Sequence, residues 1–209
     1  MLAADFLNLG KDVEVVNRYA DIFHLDVMDG TLVPNISFGF PVIEAIAKKA
    51  EKPMDVHLMI VHPEKYVERF AKVGAAYISF HLEAAQKDGT DPREIIALIR
   101  QNGAKAGIAV NPDFPLEGLF PYLNDVDFVL IMSVFAGFGG QKFIEGTYDR
   151  VEAVRKEAGR IGAKIEIEVD GGVSPSNSAK LKECGAGMLV AGSAVFKSDD
   201  PKSVIESMK

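Results

Sequence analysis

The sequence predicts an α/β fold whose parallel strands close into a barrel. Short β-rich runs alternate with helical patterns along the 209 residues. The intervals between runs have room for the crossover helix that joining parallel strands requires, about a dozen residues or more. Residues able to do chemistry recur at the C-terminal ends of the runs, where barrels carry their sites. The competing architecture, an open doubly wound sheet, usually shows G-x-G-x-x-G after its first strand, and no early run here is followed by one.

The runs read as strands are 22–27, 54–59, 77–81, 106–110, 128–133, 165–170 and 188–192. Between them apolar residues fall three or four apart. Val42, Ile43, Ile46 and Ala47 form one such segment, and Ile95, Ile96, Leu98 and Ile99 another that opens on Asp91-Pro92. Segments 63–73, 147–161, 176–184 and 201–208 complete the expected helices. No linker, low-complexity repeat or Pro/Ser-rich stretch divides the chain. One domain over 1–209 is expected, near the lower end of the roughly 200 to 400 residues that barrels occupy.

Composition excludes several classes. The chain is 48% apolar and 25% charged, as soluble domains are, and its 23 basic against 30 acidic residues give a net charge of −7. The acid excess argues against nucleic acid or an anionic membrane as a partner. The longest apolar stretch, 128–138, is well short of the roughly 20 residues of a membrane span. Cys184, the one cysteine, rules out an internal disulfide and a thiolate-rich metal cluster, and reads as a small buried residue in a reducing compartment. The N-terminal residues carry no basic region and meet Asp5 too early for a signal peptide, so a cytoplasmic location is expected.

His24 and Asp26 are two apart on a strand, so their side chains share one face. The pair suits a divalent metal or, alternatively, a buried ion pair that orders the barrel rim. Asp55 and His57 repeat the pairing in reverse order, and Asp170 ends its run just before Gly171-Gly172. Together His24, Asp26, His57 and Asp170 make a mixed nitrogen/oxygen set for one divalent cation. Ligand type leaves zinc, iron, manganese and cobalt all open. With Asp26 and Asp170 on opposite sides of a substrate, one removes a proton from carbon while the other delivers one to the opposite face, which is epimerisation. The charge that then develops on oxygen calls for a Lewis acid.

Glycine-rich turns follow three of the runs: Gly137, Phe138, Gly139 and Gly140 after 128–133, Gly171 and Gly172 after Asp170, and Gly192-Ser193 at the last. Their backbone N–H groups can close on a phosphate, although any tight turn can use the same residues. Met28, Met59 and Met132 at strand ends form a soft wall around reacting carbons or, more simply, fill gaps in a core. His62, before Pro63, is expected at the surface. His81, near Glu83, stands either behind the site or in a rim ion pair.

Taken in order, HLDVMDG (24–30) with VPN (33–35), DVHLMI (55–60), GFGGQKF (137–143), VDGGV (169–173) and AGSAVF (191–196) resemble the ribulose-phosphate 3-epimerase family. The resemblance implies a (β/α)8 TIM barrel that interconverts D-ribulose 5-phosphate and D-xylulose 5-phosphate in the pentose phosphate pathway with a divalent metal. It implies His24, Asp26, His57 and Asp170 as metal ligands, with Asp26 and Asp170 as the acid/base pair. Gly137 to Gly140, Gly171-Gly172 and Gly192-Ser193 would hold the phosphate, His57 and Asp170 would also meet the substrate, and Met28, Met59 and Met132 would flank the enediolate. The expected partner is a small sugar phosphate. A homo-oligomer is expected, with the apolar stretch 33–40 serving either substrate or a subunit contact.

Two positions depart from the family's pattern. Ala136 stands where the family typically has proline, a loss of rigidity of about 0.4–1 kcal/mol where the native angles suit proline. The family's first strand, ending in Pro-Ser, falls before Leu2, so its substrate-contacting serine has no counterpart here. The expected barrel therefore lacks most of its first strand, leaving seven strands and a gap. Two further readings are an epimerase of a ketohexose phosphate such as allulose 6-phosphate, and a phosphate-binding barrel without turnover.

Overall fold

A computed structural model describes residues 1–209. Seven parallel strands form one sheet in chain order: β1 (Phe23–Met28), β2 (Met54–Met59), β3 (Ala75–His81), β4 (Lys105–Val110), β5 (Phe128–Met132), β6 (Glu166–Asp170) and β7 (Met188–Val190). The sheet curls into a barrel that is open between β1 and β7, and residues 1–4 form a turn rather than an eighth strand. The free edge of β1 is covered locally. The Met1 amine donates to the His24 carbonyl at 2.6 Å, while Ser37 Oγ donates to the Asp26 carbonyl at 2.6 Å and accepts the Met28 N–H at 3.0 Å. An unpaired edge is thereby left with few open donors and acceptors.

Alternation along each strand sorts the side chains into two layers. Phe23, Leu25, Val56, Leu58, Ile78, Phe80, Ile108, Val129, Ile131 and Val169 join the large core between sheet and helices. Each fully buried side chain of this size contributes roughly 1.5–3 kcal/mol. The opposite parity faces the barrel interior. At its floor Phe128 packs so closely over Gly107 that a Cβ there would lie 2.3 Å from the ring. Toward the C-terminal end the interior turns polar, with Asp55, His57, Ser79, His81 and Glu168 all buried.

Nine helices cover the outside: α1 (Leu9–Tyr19), α2 (Phe40–Ala47), α3 (Val67–Val73), α4 (Leu82–Asp88), α5 (Pro92–Gln101), α6 (Thr147–Ile161), α7 (Pro175–Cys184), α8 (Ser193–Phe196) and α9 (Pro201–Met208). The expected helices fall where their caps place them. Asp91 and Asp200 accept backbone N–H groups ahead of a proline in the first turn, and Ser174 with Asn177 forms a capping box before α7. The expected 63–73 segment divides into a 3-10 turn at Pro63–Lys65 and α3, after His62 takes a left-handed φ of 51°. Helices α1, α4 and α8 were not anticipated. Helix α1 buries only Val13 and Val16, and α4 starts directly from β3 with no capping side chain, so neither carries a strong sequence signal. Cys184 is buried, as expected.

Candidate active site

Three strands each send an i, i+2 pair into the barrel: His24 and Asp26 from β1, Asp55 and His57 from β2, Glu168 and Asp170 from β6. Parallel register places His24 beside Asp55 and Asp26 beside His57. One ligand atom from each of His24, Asp26, His57 and Asp170 lies within 4.8 Å of the others. The four residues that the sequence singled out are thus brought to one point. His24 Nε2 is 3.3 Å from Asp26 Oδ1 and 3.9 Å from Asp170 Oδ2, and His57 Nδ1 is 3.4 Å and 4.0 Å from the same two atoms.

His24 Nε2 and His57 Nδ1 are buried and have no hydrogen-bond partner. The ion pairs of Asp26, Asp55, Glu168 and Asp170 are all with histidine, none with lysine or arginine. Two unpartnered imidazole nitrogens and two carboxylate oxygens converging in a site with excess negative charge fit a divalent cation.

The same crowding separates the two aspartates. Burial alone would push Asp26 up, but His24 and His57 outweigh it and hold the carboxyl well below the ordinary range. Burial, reinforced by the charge of Asp26, raises Asp170 to about 7. Burial opposes charge on His24, yet Asp26 and Asp55 prevail and keep its pKa well above normal. Burial lowers His57 to about 4 against the pull of Asp26. At neutral pH the site therefore presents one ionised carboxylate and one that readily carries a proton, the asymmetry that acid/base work on two faces needs.

Beneath this layer lie Asp55, which the sequence pairs with His57 without giving it a role, and Glu168, which is not among the residues expected at the site. Asp55 Oδ2 is 2.5 Å from His24 Nδ1, and Glu168 Oε1 is 3.4 Å from the same nitrogen. Burial and the charge of Asp55 raise Glu168 to about 8. The i, i+2 spacing that pairs Asp55 with His57 also pairs Glu168 with Asp170, and is the signal that finds Glu168: a charged residue two before a site residue points into the same space. His81 meets both expectations: it stands behind His57, Nε2 to Nε2 at 2.9 Å, and its Nδ1 is paired with Glu83 Oε2 at 3.5 Å. His62 is a partly exposed neighbour of Glu64 and Asp88, outside the site.

A cavity of about 490 Å³ runs along the open side of the barrel, from Ala20, Ile22, Lys182 and Met208 at one end to the four residues and the glycine-rich turns at the other. His24, Asp26, Asp170, Met28, Met59 and Met132 all line it, and His57, fully buried, stands behind. Gly137, Phe138, Gly139 and Gly140 line one side, Gly171 and Gly172 another, Gly192 and Ser193 a third. The turns interlock. A Cβ on Gly171 would lie 2.4 Å from Val134, one on Gly172 2.8 Å from the Phe143 nitrogen, and one on Gly140 3.9 Å from Ser193 Oγ. Asn35 Nδ2 donates to the Gly137 carbonyl at 2.7 Å, tying the 33–35 loop to the same rim. Ser133 Oγ donates to the Asp170 carbonyl at 2.8 Å, which holds the backbone that carries Asp170. Within 33–40, Val33 packs on Met28 and Met59 while Ile36 is exposed.

Residues 1–196 match the model of the ribulose-phosphate 3 epimerase family. The chain belongs to the ribulose-phosphate 3-epimerase family. Among its relatives, the ribulose-phosphate 3-epimerase of Bacillus subtilis is 42% identical over 211 residues, covering 100% of this chain and 95% of the relative. The chloroplastic ribulose-5-phosphate-3-epimerase of Arabidopsis thaliana is 45% identical over 210 residues, covering 100% of this chain and 74% of its own. That of Serratia marcescens is 45% identical over 203 residues, covering 96% and 94%. The protein is thus an epimerase, an enzyme of the isomerase class. Solved structures share its barrel fold at low identity. A tryptophan synthase α-subunit from Pyrococcus furiosus superposes with a TM-score of 0.70 at 17% identity over 99% of this chain and 94% of that one. A 3-hexulose-6-phosphate synthase gives 0.68 at 19% over 99% and 95%. No helix is long and apolar enough to cross a membrane.

Proposed function

We propose that this epimerase interconverts D-ribulose 5-phosphate and D-xylulose 5-phosphate at carbon 3, with one divalent cation held by His24, Asp26, His57 and Asp170. The observation that carries the reading is the convergence at one point of two inward carboxylates, Asp26 and Asp170, with two imidazole nitrogens that have no hydrogen bonds; the opposed shifts of the two aspartates, Asp26 down and Asp170 up, support it. Zinc, iron, manganese or cobalt suits this donor set. When bound, the cation supplies Lewis acidity to the negative charge of the enediolate oxygens.

The chain's own residues do the proton work. One aspartate takes the proton from carbon 3 on one face and the other returns one to the opposite face, each through the carboxylate oxygen that it would not give to the cation; in the reverse direction the two exchange roles. Met28, Met59 and Met132 line the cavity with apolar surface that keeps water from the planar intermediate. The backbone N–H groups of Gly137 to Gly140, Gly171-Gly172 and Gly192-Ser193 take the phosphate at the rim. The acid excess and single cysteine support a cytoplasmic enzyme in one domain, although a plant relative is chloroplastic.

In deuterated water the zinc-loaded or manganese-loaded protein should place deuterium on carbon 3 of ribulose 5-phosphate while xylulose 5-phosphate accumulates. Label at another carbon, or none with any of the four metals, overturns the reading. A higher kcat/KM on allulose 6-phosphate than on ribulose 5-phosphate would move the substrate to the hexose. Binding of the pentose phosphate without exchange would leave a barrel that does not turn over.

A further inference from the structure

We propose that His81, oriented by Glu83, is a positioning residue that sets the tautomer of His57 and so aims the His57 Nδ1 lone pair at the cation site. The inference rests on the metal reading above. His81 ends β3 inside the barrel, and its Nε2 lies 2.9 Å from His57 Nε2. The ring centroids are 5.0 Å apart with planes at 21°. A centroid separation that long beside so short an N···N contact puts the rings end to end, as a hydrogen bond requires, rather than face to face.

One proton sits between the two nitrogens, and a neutral imidazole has only one to place. If His81 donates, His57 Nε2 is bare and the His57 proton occupies Nδ1, blocking the atom that faces Asp26 and Asp170. If His57 donates, Nδ1 is a lone pair open to a cation. Glu83 decides between them. His81 Nδ1 faces Glu83 Oε2 at 3.5 Å, and without a proton it would set lone pair against carboxylate. The His81 proton therefore belongs on Nδ1, and its Nε2 accepts. Glu83 is anchored in turn, because its Oε1 accepts the Asn111 N–H at 2.8 Å just beyond β4. A hydrogen bond thus joins His57 to His81, and an ion-pair contact of 3.5 Å, not a hydrogen bond, sets the Glu83 carboxylate against His81 Nδ1, an arrangement by which an outer carboxylate orients the partner of a ligating histidine.

The test is zinc affinity by chelator competition in the full-length protein, with His81→Leu and His81→Gln compared. Leucine offers no acceptor and should weaken zinc binding by about 10–100-fold. Glutamine can accept from His57 Nε2 through its amide oxygen and should recover most of that loss. Long-range proton–nitrogen NMR of the zinc-loaded wild type should show His81 protonated at Nδ1, a readout that does not depend on either variant folding. Protonation of His81 at Nε2 overturns the proposal, as does equal zinc affinity in wild type and both variants, or equal loss in both variants. Failure of the wild type to bind zinc, iron, manganese or cobalt is a different result, which removes the metal reading itself.

Discussion

His24 Nδ1 and Asp55 Oδ2 meet at 2.5 Å inside the barrel, both side chains buried, with His24 Nε2 left facing Asp26 and Asp170. Asp55 holds one ring nitrogen so that the other is aimed. Asp55→Ala should lower the stability of the metal-free protein by about 3–5 kcal/mol, the usual cost of breaking a buried ion pair. It should also weaken metal binding about 10–100-fold. Asp55→Asn keeps an acceptor oxygen at the same reach and should lose less of both. Urea unfolding and chelator competition on the two variants check this, and equal behaviour of alanine and asparagine would remove the orienting role.

The proposed division of the two substrate faces between Asp26 and Asp170 predicts that their asparagine variants fail differently. Each should lose about 10²–10⁴ in turnover. Deuterium exchange begun from ribulose 5-phosphate should suffer more in one variant, and exchange begun from xylulose 5-phosphate more in the other. Metal content is measured alongside, since both residues sit at the cation site. Equal suppression from both epimers in both metal-loaded variants would contradict the two-face division.

The interior carboxylates make the metal-free protein sensitive to alkali. Asp170 and Glu168 bind protons more tightly folded, at about 7 and about 8, than in the unfolded chain at 3.8 and 4.5. A folded state that holds more protons than the unfolded one loses stability as pH rises. His24, raised above its ordinary 6.5, acts in the same direction above that value. His57, lowered to about 4, acts oppositely but only below 6.5, and Asp26 only below 3.8. The buried Met1 amine, lowered from 8.0 by burial, opposes Asp170, Glu168 and His24 up to pH 8.0 and offsets one of the three. Between pH 6.5 and 8 the stability of chelator-treated protein should therefore fall, by up to about 1.4 kcal/mol per pH unit for each group, and its melting temperature with it. A saturating divalent cation takes its ligands deprotonated and should flatten the slope. A melting temperature that rises across this window without metal would count against these protonation states.

Much of this arrangement is legible in the sequence because strands have a period of two. His24 with Asp26, and Glu168 with Asp170, share a side by spacing alone, and the chain order of the strands follows from the crossovers between them. What spacing does not carry is proximity across the barrel. Nothing in the sequence places Glu168 of β6 and Asp55 of β2 around one nitrogen of His24, because that depends on the curl of the sheet about the open position between β1 and β7. The stretch after β3 shows the same limit. The sequence offers Glu83 as an ion-pair partner for His81, but only the packing of α4 against the barrel end also brings it to the Asn111 N–H.

Two glycines at left-handed φ separate strain from crowding. Gly162 has φ 73° with open space where a Cβ would go, and Gly171 has φ 117° with Val134 Cγ2 at 2.4 Å and the Val134 nitrogen at 2.9 Å. Gly162→Ala should cost about 1–2 kcal/mol, the left-handed penalty alone, with KM unchanged. Gly171→Ala should add about 1–3 kcal/mol of overpacking to that strain and raise KM for the sugar phosphate, since the displaced turn lines the cavity. Thermal unfolding and steady-state kinetics distinguish them, and an unchanged KM in Gly171→Ala would take that turn out of phosphate binding.

Ala136 occupies a position that the family typically fills with proline, and its N–H donates to Asn111 Oδ1 at 3.0 Å. Proline has no N–H to offer. Ala136→Pro would gain about 0.4–1 kcal/mol from a stiffer unfolded chain where the angles suit. It would give up a hydrogen bond and leave the Asn111 oxygen without that donor, a loss of about 1–3 kcal/mol. The expected net effect is neutral to destabilising, not the gain that restoring a family residue suggests. The two terms separate in a double-mutant cycle with Asn111→Ala. Once the acceptor is gone, proline has nothing left to break, and Ala136→Pro in that background should stabilise. The coupling should be about 0.5–3 kcal/mol. Additive effects in the cycle would mean that the Asn111 contact contributes nothing to the loop, and that alanine at this position is simply a more flexible substitute for proline.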